Sequence, residues 1–257
     1  MKMNLLAVGD VVGDRGIAFL GQRLRPLKKL KNIEITVVNG ENASGVGITP
    51  RQAEELFQAG ADLITLGNHT WNRREIVRFL DENPYIFRPA NYPPQNPGRG
   101  WGIYDTGKLR LRVVNLIGRL GMDFGPDNPF LEINRILAQD TADFTVVDFH
   151  AEATSEKLAM AYYLDGRVSV LFGTHTHVQT ADERVLPKGT GYITDLGMTG
   201  PVESVLGIRV DQSVDTFLGN PTGRYETAPG DYKMECAIFE LDTDTGLCSG
   251  VERLRIL

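Results

Sequence analysis

Cysteine is scarce in this 257-residue sequence, which contains only Cys236 and Cys248. Two cysteines cannot form the disulfide framework of a small secreted domain, so we expect both to be reduced residues of the core. Long apolar runs are also missing, because none approaches the length of a membrane span. The apolar stretch before Asp10 is too short to be the core of a signal peptide. These absences predict a cytoplasmic protein.

Basic residues are outnumbered, with 27 Lys and Arg against 33 Asp and Glu and a net charge of −6. Stable nucleic-acid binding depends on Lys and Arg that meet phosphates, so this composition argues against it. A small anionic ligand is compatible with an acidic chain, because a bound metal ion can reverse the local charge. We therefore expect no membrane and no stable nucleic-acid partner, while the composition leaves a small-molecule ligand and a homo-oligomer open.

Histidine is rare as well, and its placement is the most informative feature of the sequence. The four histidines all follow short apolar runs: His69 in LGNHT, His150 in TVVDFH, and His175 and His177 in LFGTHTH. Further apolar runs precede Asp10 in AVGDVVG and the neighbours Glu41 and Asn42 in VVNGEN. Five predicted strands thus end in residues that can bind metal, which indicates a hydrolytic metal centre.

The apolar pattern predicts alternating strands and helices in the first third of the chain. We expect strands at 4–8, 34–38 and 62–66, with helices near 16–31 and from residue 50 onward. The segment Thr49 to Gln52 has the form of a capping box with proline at the first helical position. Asn72 is expected to cap the next helix, with Glu75 three residues later. This order predicts a parallel sheet with right-handed crossovers.

The pattern changes after residue 84. A predicted hairpin at 101–105 and 109–117 adds antiparallel strands, and later strands are expected at 144–149 and 168–172. The glycine-rich segment 118–128 fits either a mobile loop over the site or an ordinary connection. No linker or repeat divides the chain, so a single mixed α/β domain over residues 1–257 fits best.

The predicted strand ends explain how distant residues can meet. In open α/β sheets, functional groups gather outside the carboxyl ends of the strands. Asp10, Glu41, Asn68, His150 and His175 each lie just past such an end, so their side chains converge if the strands are neighbours. The alternative is a set of unrelated turn residues, because Asp and Asn favour turns in any case.

Two short motifs suggest how the ligands are arranged. In an extended segment, residues i and i+2 point to the same side, so His175 and His177 of Gly-Thr-His-Thr-His can face one centre. Two structural histidines with satisfied hydrogen bonds are the alternative. Asn68 and His69 are adjacent and point apart in extended geometry, which predicts one metal ligand and one proton donor. Asp148 either orients an imidazole or forms an ordinary salt bridge elsewhere, and we favour the salt bridge slightly.

The candidate ligands offer nitrogen and oxygen but no thiolate. This donor set argues against a structural zinc site and suits Mn, Fe or a catalytic Zn. Seven candidate ligands are too many for one ion, so two ions are more economical. Two metals roughly 3.5–4 Å apart form the usual hydrolytic clamp on phosphate esters.

The order of these motifs resembles the calcineurin-like metallophosphoesterases, and most closely their YmdB-like branch. The similar stretches are GDVVG, NGENA, GNHTW, DFHAEATSEK, GTHTHVQTAD and TDLGMTGP, which run from residue 9 to about residue 201. The chain departs from the broader superfamily twice. Asp10 is followed by Val11 and Val12 where the superfamily has Asp-x-His, and Gly40-Glu41 stands where it has Gly-Asp. The YmdB-like branch shares both departures, with Asn42 in the vacant ligand place.

The resemblance implies a fold, a metal centre and an activity. The fold is a four-layer α/β/β/α sandwich of two mixed sheets. One metal has the ligands Asp10, Glu41, Asn42 and His177. The other has the ligands Glu41, Asn68, His150 and His175, so that Glu41 bridges the two. His69 is the proton donor.

The implied activity is hydrolysis of 2′,3′-cyclic nucleotides, such as 2′,3′-cAMP, by a hydroxide that bridges two divalent or mixed-valence ions. Iron or manganese is expected, with zinc as the alternative. Other functions stay open: a phosphomonoesterase or RNase on the same centre, or a nucleotide-binding regulatory protein with little turnover. Candidates for stacking on a base or pairing with phosphate are less specific, and ordinary packing or solvated pairing is the default for each: Tyr92, Trp101, Phe124, Tyr162, Arg88 and Arg119.

Overall fold

The computed structural model describes residues 2–122 and 125–257. Strands in these residues are β1 (Lys2–Val8), β2 (Asp10–Val11), β3 (Ile33–Asn39), β4 (Leu63–Thr65), β5 (Ile86–Phe87), β6 (Trp101–Asp105), β7 (Arg110–Ile117), β8 (Phe144–His150), β9 (Val170–Thr174), β10 (Arg184–Val185), β11 (Gly191–Ile193), β12 (Met198–Pro201), β13 (Tyr232–Asp242) and β14 (Leu247–Ile256). The helices are α1 (Gly13–Leu30), α2 (Pro50–Ala59), α3 (Ile76–Glu82), α4 (Pro129–Leu137), α5 (Thr154–Leu164) and α6 (Val210–Phe217).

The first sheet has the strand order β2-β12-β13-β1-β3-β4-β5, with β14 beside β13. Strands β1, β3, β4 and β5 are parallel, and β13 runs antiparallel to β1. Helices α1, α2 and α3 connect the parallel strands in turn, as the alternation of patterns predicts. The sheet is therefore mixed, with its parallel part built from the first third of the chain.

The second sheet has the order β10-β11-β9-β8-β7-β6. Strands β7, β8 and β9 are parallel, with α4 and α5 between them along the chain. Strand β6 pairs antiparallel with β7, so the predicted hairpin is confirmed. Strand β9 ends at Thr174, two residues later than expected, which brings it directly to the histidine motif.

Three apolar clusters define the layers. Along β1, Leu5 and Ala7 belong to the cluster between the sheets, whereas Leu6 and Val8 belong to the cluster under α1 and α2, as the two-residue period of a strand requires. A third cluster, including Phe149 and Met160, lies between the second sheet and its helices. The predicted four-layer α/β/β/α sandwich is confirmed.

The capping box before α2 is confirmed in detail. The Thr49 hydroxyl accepts a hydrogen bond from the Gln52 amide at 3.3 Å, and the Gln52 side chain accepts one from the Thr49 amide at 3.1 Å. Pro50 occupies the first turn, where a backbone N–H would have no acceptor within the helix, so its missing N–H costs no hydrogen bond. Both reciprocal contacts of the capping box lie within residues 49–52, so the local sequence predicts where this helix begins.

The predicted cap at Asn72 is wrong. Helix α3 begins at Ile76 after Glu75, because residues 70–75 form turns in which the Asn72 amide donates to the His69 carbonyl. Arg73 in this segment donates to the Ser44 carbonyl at 3.0 Å. The segment is thus shaped by contacts with the loop that follows β3.

Both cysteines are free and buried, as expected. Within residues 2–122 and 125–257, every helix is too short or too polar to cross a membrane. Of the segment 118–128, residues 123 and 124 lie outside the described part of the chain, so the stacking candidate Phe124 does as well.

Candidate metal centre

The structure brings all seven predicted ligand residues together at the carboxyl ends of strands from both sheets. Asp10 follows the carboxyl end of β1, and the first sheet also supplies Glu41 and Asn42 after β3 and Asn68 beyond β4. The second sheet supplies His150 at the end of β8 and His175 and His177 after β9. The centre therefore lies where the edges of the two packed sheets meet.

One group of side chains surrounds His150. Its Nε2 atom lies 3.1 Å from Glu41 Oε1, 3.0 Å from Asn68 Oδ1 and 3.1 Å from His175 Nδ1. Three acceptor-capable atoms face one ring nitrogen, and a single N–H cannot satisfy them all. A cation that all four side chains bind resolves this arrangement, so the donor set fits a metal ion.

A second group surrounds the Asn42 amide. Its Nδ2 atom lies 3.0 Å from His177 Nε2, 3.2 Å from Glu41 Oε1 and 3.5 Å from Asp10 Oδ1. Three acceptors again face one point. A half-turn of the amide presents Asn42 Oδ1 there instead, which completes a second set of nitrogen and oxygen donors.

Glu41 belongs to both groups and is 1% exposed. Burial raises the pKa of Glu41, but the nearby His150 and His69 outweigh it and lower this pKa to about 2. Burial lowers the pKa of His150, but Glu41, Asp10 and Asp148 outweigh it and raise that pKa to about 9. The carboxylates thus stabilise a positive charge at His150. A bound metal ion can supply this charge in place of the proton on the imidazole.

A buried hydrogen-bond chain orients the His150 ring. Its Nδ1 atom lies 2.9 Å from the Thr174 hydroxyl, which lies 2.7 Å from Asp148 Oδ1. Asp148 also accepts hydrogen bonds from Thr65 and Asn39 at 2.5 and 3.1 Å. When Thr174 donates to Asp148, it accepts from Nδ1–H of His150, so the Nε2 lone pair faces the centre.

Asp148 therefore acts on the site through Thr174. Burial raises the pKa of this carboxyl to about 6, against the charge of His150 and three hydrogen bonds. The ordinary salt bridge that the sequence favours for Asp148 is not found in the described part of the chain. Strands β3 and β4 of the first sheet and β9 of the second place neutral donors around the carboxylate instead, a contact that depends on how the two sheets pack.

The two histidines after β9 reach the centre by a different geometry from the one predicted. His175 has a φ of 103° and His177 a φ of 63°, so both lie in the left-handed region and not in extended backbone. The expected alternation is therefore wrong, although both rings face the centre. His175 belongs to the group around His150, whereas His177 belongs to the group around Asn42.

Each of these rings is fixed by a partner on its far side. His177 Nδ1 donates to the Leu206 carbonyl at 2.9 Å, which leaves Nε2 as a lone-pair donor toward the centre. His175 Nε2 lies 3.3 Å from Glu152 Oε2, which leaves Nδ1 to face His150. Burial and then the charge of His150 lower the pKa of His175 to about 3. Both rings are held with one nitrogen available to a metal.

His69 lies beside the two groups and not within them. Its backbone amide donates to Glu41 Oε2 at 3.2 Å, and its side chain lines the cavity above the centre. The prediction that Asn68 and His69 point apart in an extended segment is wrong, because both residues lie in a turn. Their surroundings still differ, since Asn68 Oδ1 faces His150.

A cavity of about 550 Å³ opens over the centre. Its outer wall includes residues that the sequence pattern did not indicate, namely Arg73, Leu206, Arg224, Tyr225 and Thr227. Segment 224–227 lies far along the chain from the motifs and carries no pattern of its own, so no local signal marks it.

Of the side chains proposed from sequence for stacking or phosphate pairing, the five that the structure describes lie outside the cavity wall. Tyr92 packs edge-to-face with Trp71, and Arg112 lies over the Trp101 ring. Arg88 is buried and donates to the carbonyls of Pro89 and Ala90. Tyr162 and Arg119 are likewise not among the residues that line the cavity. Ordinary packing thus accounts for Tyr92, Trp101 and Arg88.

Comparison with known proteins identifies the family of this chain. The family model described as YmdB-like protein matches residues 6–254. The chain belongs to the YmdB-like family. Its relatives include a Bacillus subtilis (strain 168) protein named 2′,3′-cyclic-nucleotide 2′-phosphodiesterase, which is 43% identical over 259 residues, 99% of this chain and 97% of that protein.

Two solved structures of nearly the same length share the whole fold of this chain. A phosphatase from Mycoplasma pneumoniae superposes with a TM-score of 0.94 at 33% identity, covering 100% of this chain and 94% of that chain. A protein from Thermus thermophilus superposes with a TM-score of 0.91 at 38% identity, covering 98% of each chain. The fold is the metallophosphoesterase sandwich, and the names phosphodiesterase and phosphatase of these relatives support a phosphoric-ester hydrolase.

Gly67 is the point at which the YmdB-like centre leaves no room for a side chain. A Cβ atom there would lie 2.1 Å from Glu41 Oε2 and 2.3 Å from His150 Nε2. Such distances are far below contact, so a methyl group would occupy the space where the ligands converge.

We predict that Gly67→Ala lowers metal affinity or phosphodiesterase activity about 10–100-fold or more, because it displaces two ligands at once. Elemental analysis and turnover would measure the effect. Gly223→Ala is the matched control, since no atom lies within 4 Å of its added Cβ. Full metal content and turnover in Gly67→Ala would contradict the position of the centre.

Proposed function

We propose that the protein is a dinuclear-metal phosphodiesterase that hydrolyses 2′,3′-cyclic nucleotides. The observation that carries this proposal is the position of Glu41 Oε1, which lies 3.1 Å from His150 Nε2 in one group and 3.2 Å from the Asn42 amide in the other. A buried carboxylate shared by two sets of donors suits a bridging ligand. The name of the Bacillus subtilis relative supplies the substrate class.

The donor atoms favour two metals with nitrogen and oxygen ligands. Asp10, Glu41, Asn42 and His177 would hold one ion, and Glu41, Asn68, His150 and His175 the other. Imidazole, carboxylate and amide donors without thiolate favour iron or manganese, with zinc as the alternative. Two divalent cations against two carboxylates leave the centre positive, which attracts a phosphodiester monoanion.

When bound, such metals supply a nucleophile by lowering the pKa of a coordinated water and stabilise charge on the phosphoryl oxygens. The protein supplies the rest. Asp148 and Thr174 hold the His150 ring, so its ligand nitrogen stays in place during the reaction. His69 lines the cavity beside Glu41, where its ring can protonate the ribose oxygen as that oxygen leaves.

The cavity suits a small nucleotide. Its volume of about 550 Å³ lies in the range of small-molecule sites. Tyr225 is 47% exposed and its hydroxyl lies 2.9 Å from the Thr216 hydroxyl, so the ring is held while part of it stays open to a base. The net charge of −6 argues against duplex nucleic acid as the partner. We propose a small-molecule substrate that is consumed in the cytoplasm.

A substrate panel tests the activity. We expect hydrolysis of 2′,3′-cAMP to exceed that of nucleoside monophosphates, because a dianionic monoester needs further positive groups. It should also exceed that of short RNA, because RNA binding needs a basic groove and the net charge is −6. Product analysis by liquid chromatography would compare the three classes on protein purified without chelator. Preferred cleavage of monophosphates or RNA would overturn the substrate class, and nucleotide binding without turnover would favour a regulatory protein.

His69→Ala should retain both metals and lose about 10²–10⁴-fold in turnover number, because it removes only the proton donor. Metal content and steady-state kinetics would be measured together. His175→Ala is the informative comparison, since loss of a ligand should lower metal content as well. Loss of metal from His69→Ala would place His69 among the ligands instead.

Glu41→Gln should weaken both metal sites, because one carboxylate serves both groups. Its contrast is His177→Ala, which should weaken only the site of Asp10 and Asn42. Titration with Mn²⁺ would give the number and affinity of sites in each variant. Two tight sites in Glu41→Gln would argue against a bridging role.

A further inference from the structure

Two motifs of the sequence are not used by the metal ligands, namely DFHAEATSEK beyond its histidine and TDLGMTGP. The structure joins them through Lys157 of α5 and Asp195, which follows β11. Lys157 Nζ lies 2.7 Å from Asp195 Oδ2, and the side chains are 0% and 1% exposed. This ion pair is therefore completely enclosed, directly behind the histidine turn.

The pair holds the backbone on both sides of His175. Lys157 Nζ donates to the Thr174 carbonyl at 2.9 Å, and Asp195 Oδ2 accepts from the Thr176 amide at 3.1 Å. A lysine and an aspartate from separate elements thus bind the residues immediately before and after one predicted metal ligand.

The same aspartate also reaches toward Asp10. Asp195 Oδ1 accepts from the Gly197 amide at 2.9 Å, and the Gly197 carbonyl accepts from the Asp10 amide at 3.1 Å. Asp10 Oδ2 in turn accepts from the His175 amide at 3.2 Å. The contacts form a closed circuit that links the ion pair to predicted ligands from both sheets.

The histidine turn needs such support. His175 and His177 both have positive φ, a conformation that non-glycine residues hold only when the surroundings impose it. Close packing at Gly173 adds to the constraint, because a Cβ there would lie 1.9 Å from the Thr194 carbonyl and 2.9 Å from Lys157 Cδ. The turn rests directly on the aliphatic part of Lys157.

We propose that Lys157 and Asp195 are a positioning pair that sets the His175–His177 turn for metal binding. A buried ion pair often adds little net stability, since the cost of desolvating the charges can cancel their attraction. The contacts of this pair with Thr174, Thr176 and Gly197 instead fix the position of the backbone. The inference rests on the proposed function in that it takes the two histidines as metal ligands.

The test is the double variant Lys157→Met/Asp195→Asn, which removes both charges and leaves no isolated buried ion. The chain offers a control in Lys28 and Asp62, whose ion pair measures 2.8 Å and is partly buried, with side chains 21% and 23% exposed. Lys28 also donates to the Gly60 carbonyl and Asp62 accepts from the Thr36 amide, at the opposite end of β3 and β4 from the centre. Lys28→Met/Asp62→Asn therefore breaks the same kind of contact away from the site.

Calorimetric titration of chelator-treated protein with Mn²⁺ is the main measurement, alongside thermal unfolding. We expect affinity to fall about 10–100-fold in Lys157→Met/Asp195→Asn and to stay at the wild-type value in the control, although both variants lose some thermal stability. Wild-type Mn²⁺ affinity in the folded Lys157→Met/Asp195→Asn protein would overturn the proposal.

A second measurement does not depend on metal. In Asp195→Asn, hydrogen exchange of residues 174–177 in the metal-free protein should become faster than in wild type, and by more than exchange in β7 and β8 does, because the Thr176 amide loses its charged acceptor. Unchanged exchange would overturn the positioning role, even if the double variant failed to fold. Absence of Mn²⁺ binding in wild type would count against the proposed function, whereas the exchange of the turn would still decide this inference.

Discussion

The burial of Glu41 between two groups of acceptors is the constraint on which the rest of the site depends. Asp10 and Glu41 are almost fully removed from water, and three imidazoles and two amides are packed around them. Removal of carboxylates from water costs several kcal/mol for each unless positive charge compensates for it. The arrangement is therefore suited to cations, and this demand explains the raised pKa of His150.

The two-sheet architecture is what brings these acceptors together. Glu41, Asn42 and Asn68 come from the parallel part of the first sheet, and the three predicted ligand histidines come from the second. The apolar cluster that includes Phe172 and Phe239 holds the sheets face to face, so that their carboxyl edges meet at one place. Neither sheet alone carries a complete set of donors.

Residues behind the predicted ligands hold the ligand side chains in place through hydrogen bonds. Asp148 and Thr174 orient the His150 ring. The Leu206 carbonyl orients the His177 ring. Lys157 and Asp195 contact the backbone of the turn that carries His175. Such outer contacts commonly fix the tautomer and direction of a metal-binding ring. The site is thus preorganised by groups that never need to touch a substrate.

Much of the site could be predicted because metal chemistry restricts residue types. Histidines, carboxylates and amides at strand ends are few, so Asp10, Glu41, Asn68 and His150 stood out without coordinates. The capping box at Thr49 was predictable for another reason, since all its contacts lie within four consecutive residues. Asn72 failed as a cap because a contact from Arg73 to Ser44, far along the chain, shapes that turn.

The amino-acid order alone determined the family, the donor types and the alternation of strands with helices, because each depends on local pattern. Only the tertiary structure decided the left-handed turn of His175 and His177, the pairing of Lys157 with Asp195, and the presence of Tyr225 on the cavity wall. These features join segments that are distant in sequence. Their energies come from packing, buried charge and hydrogen bonds between elements, which no local pattern records.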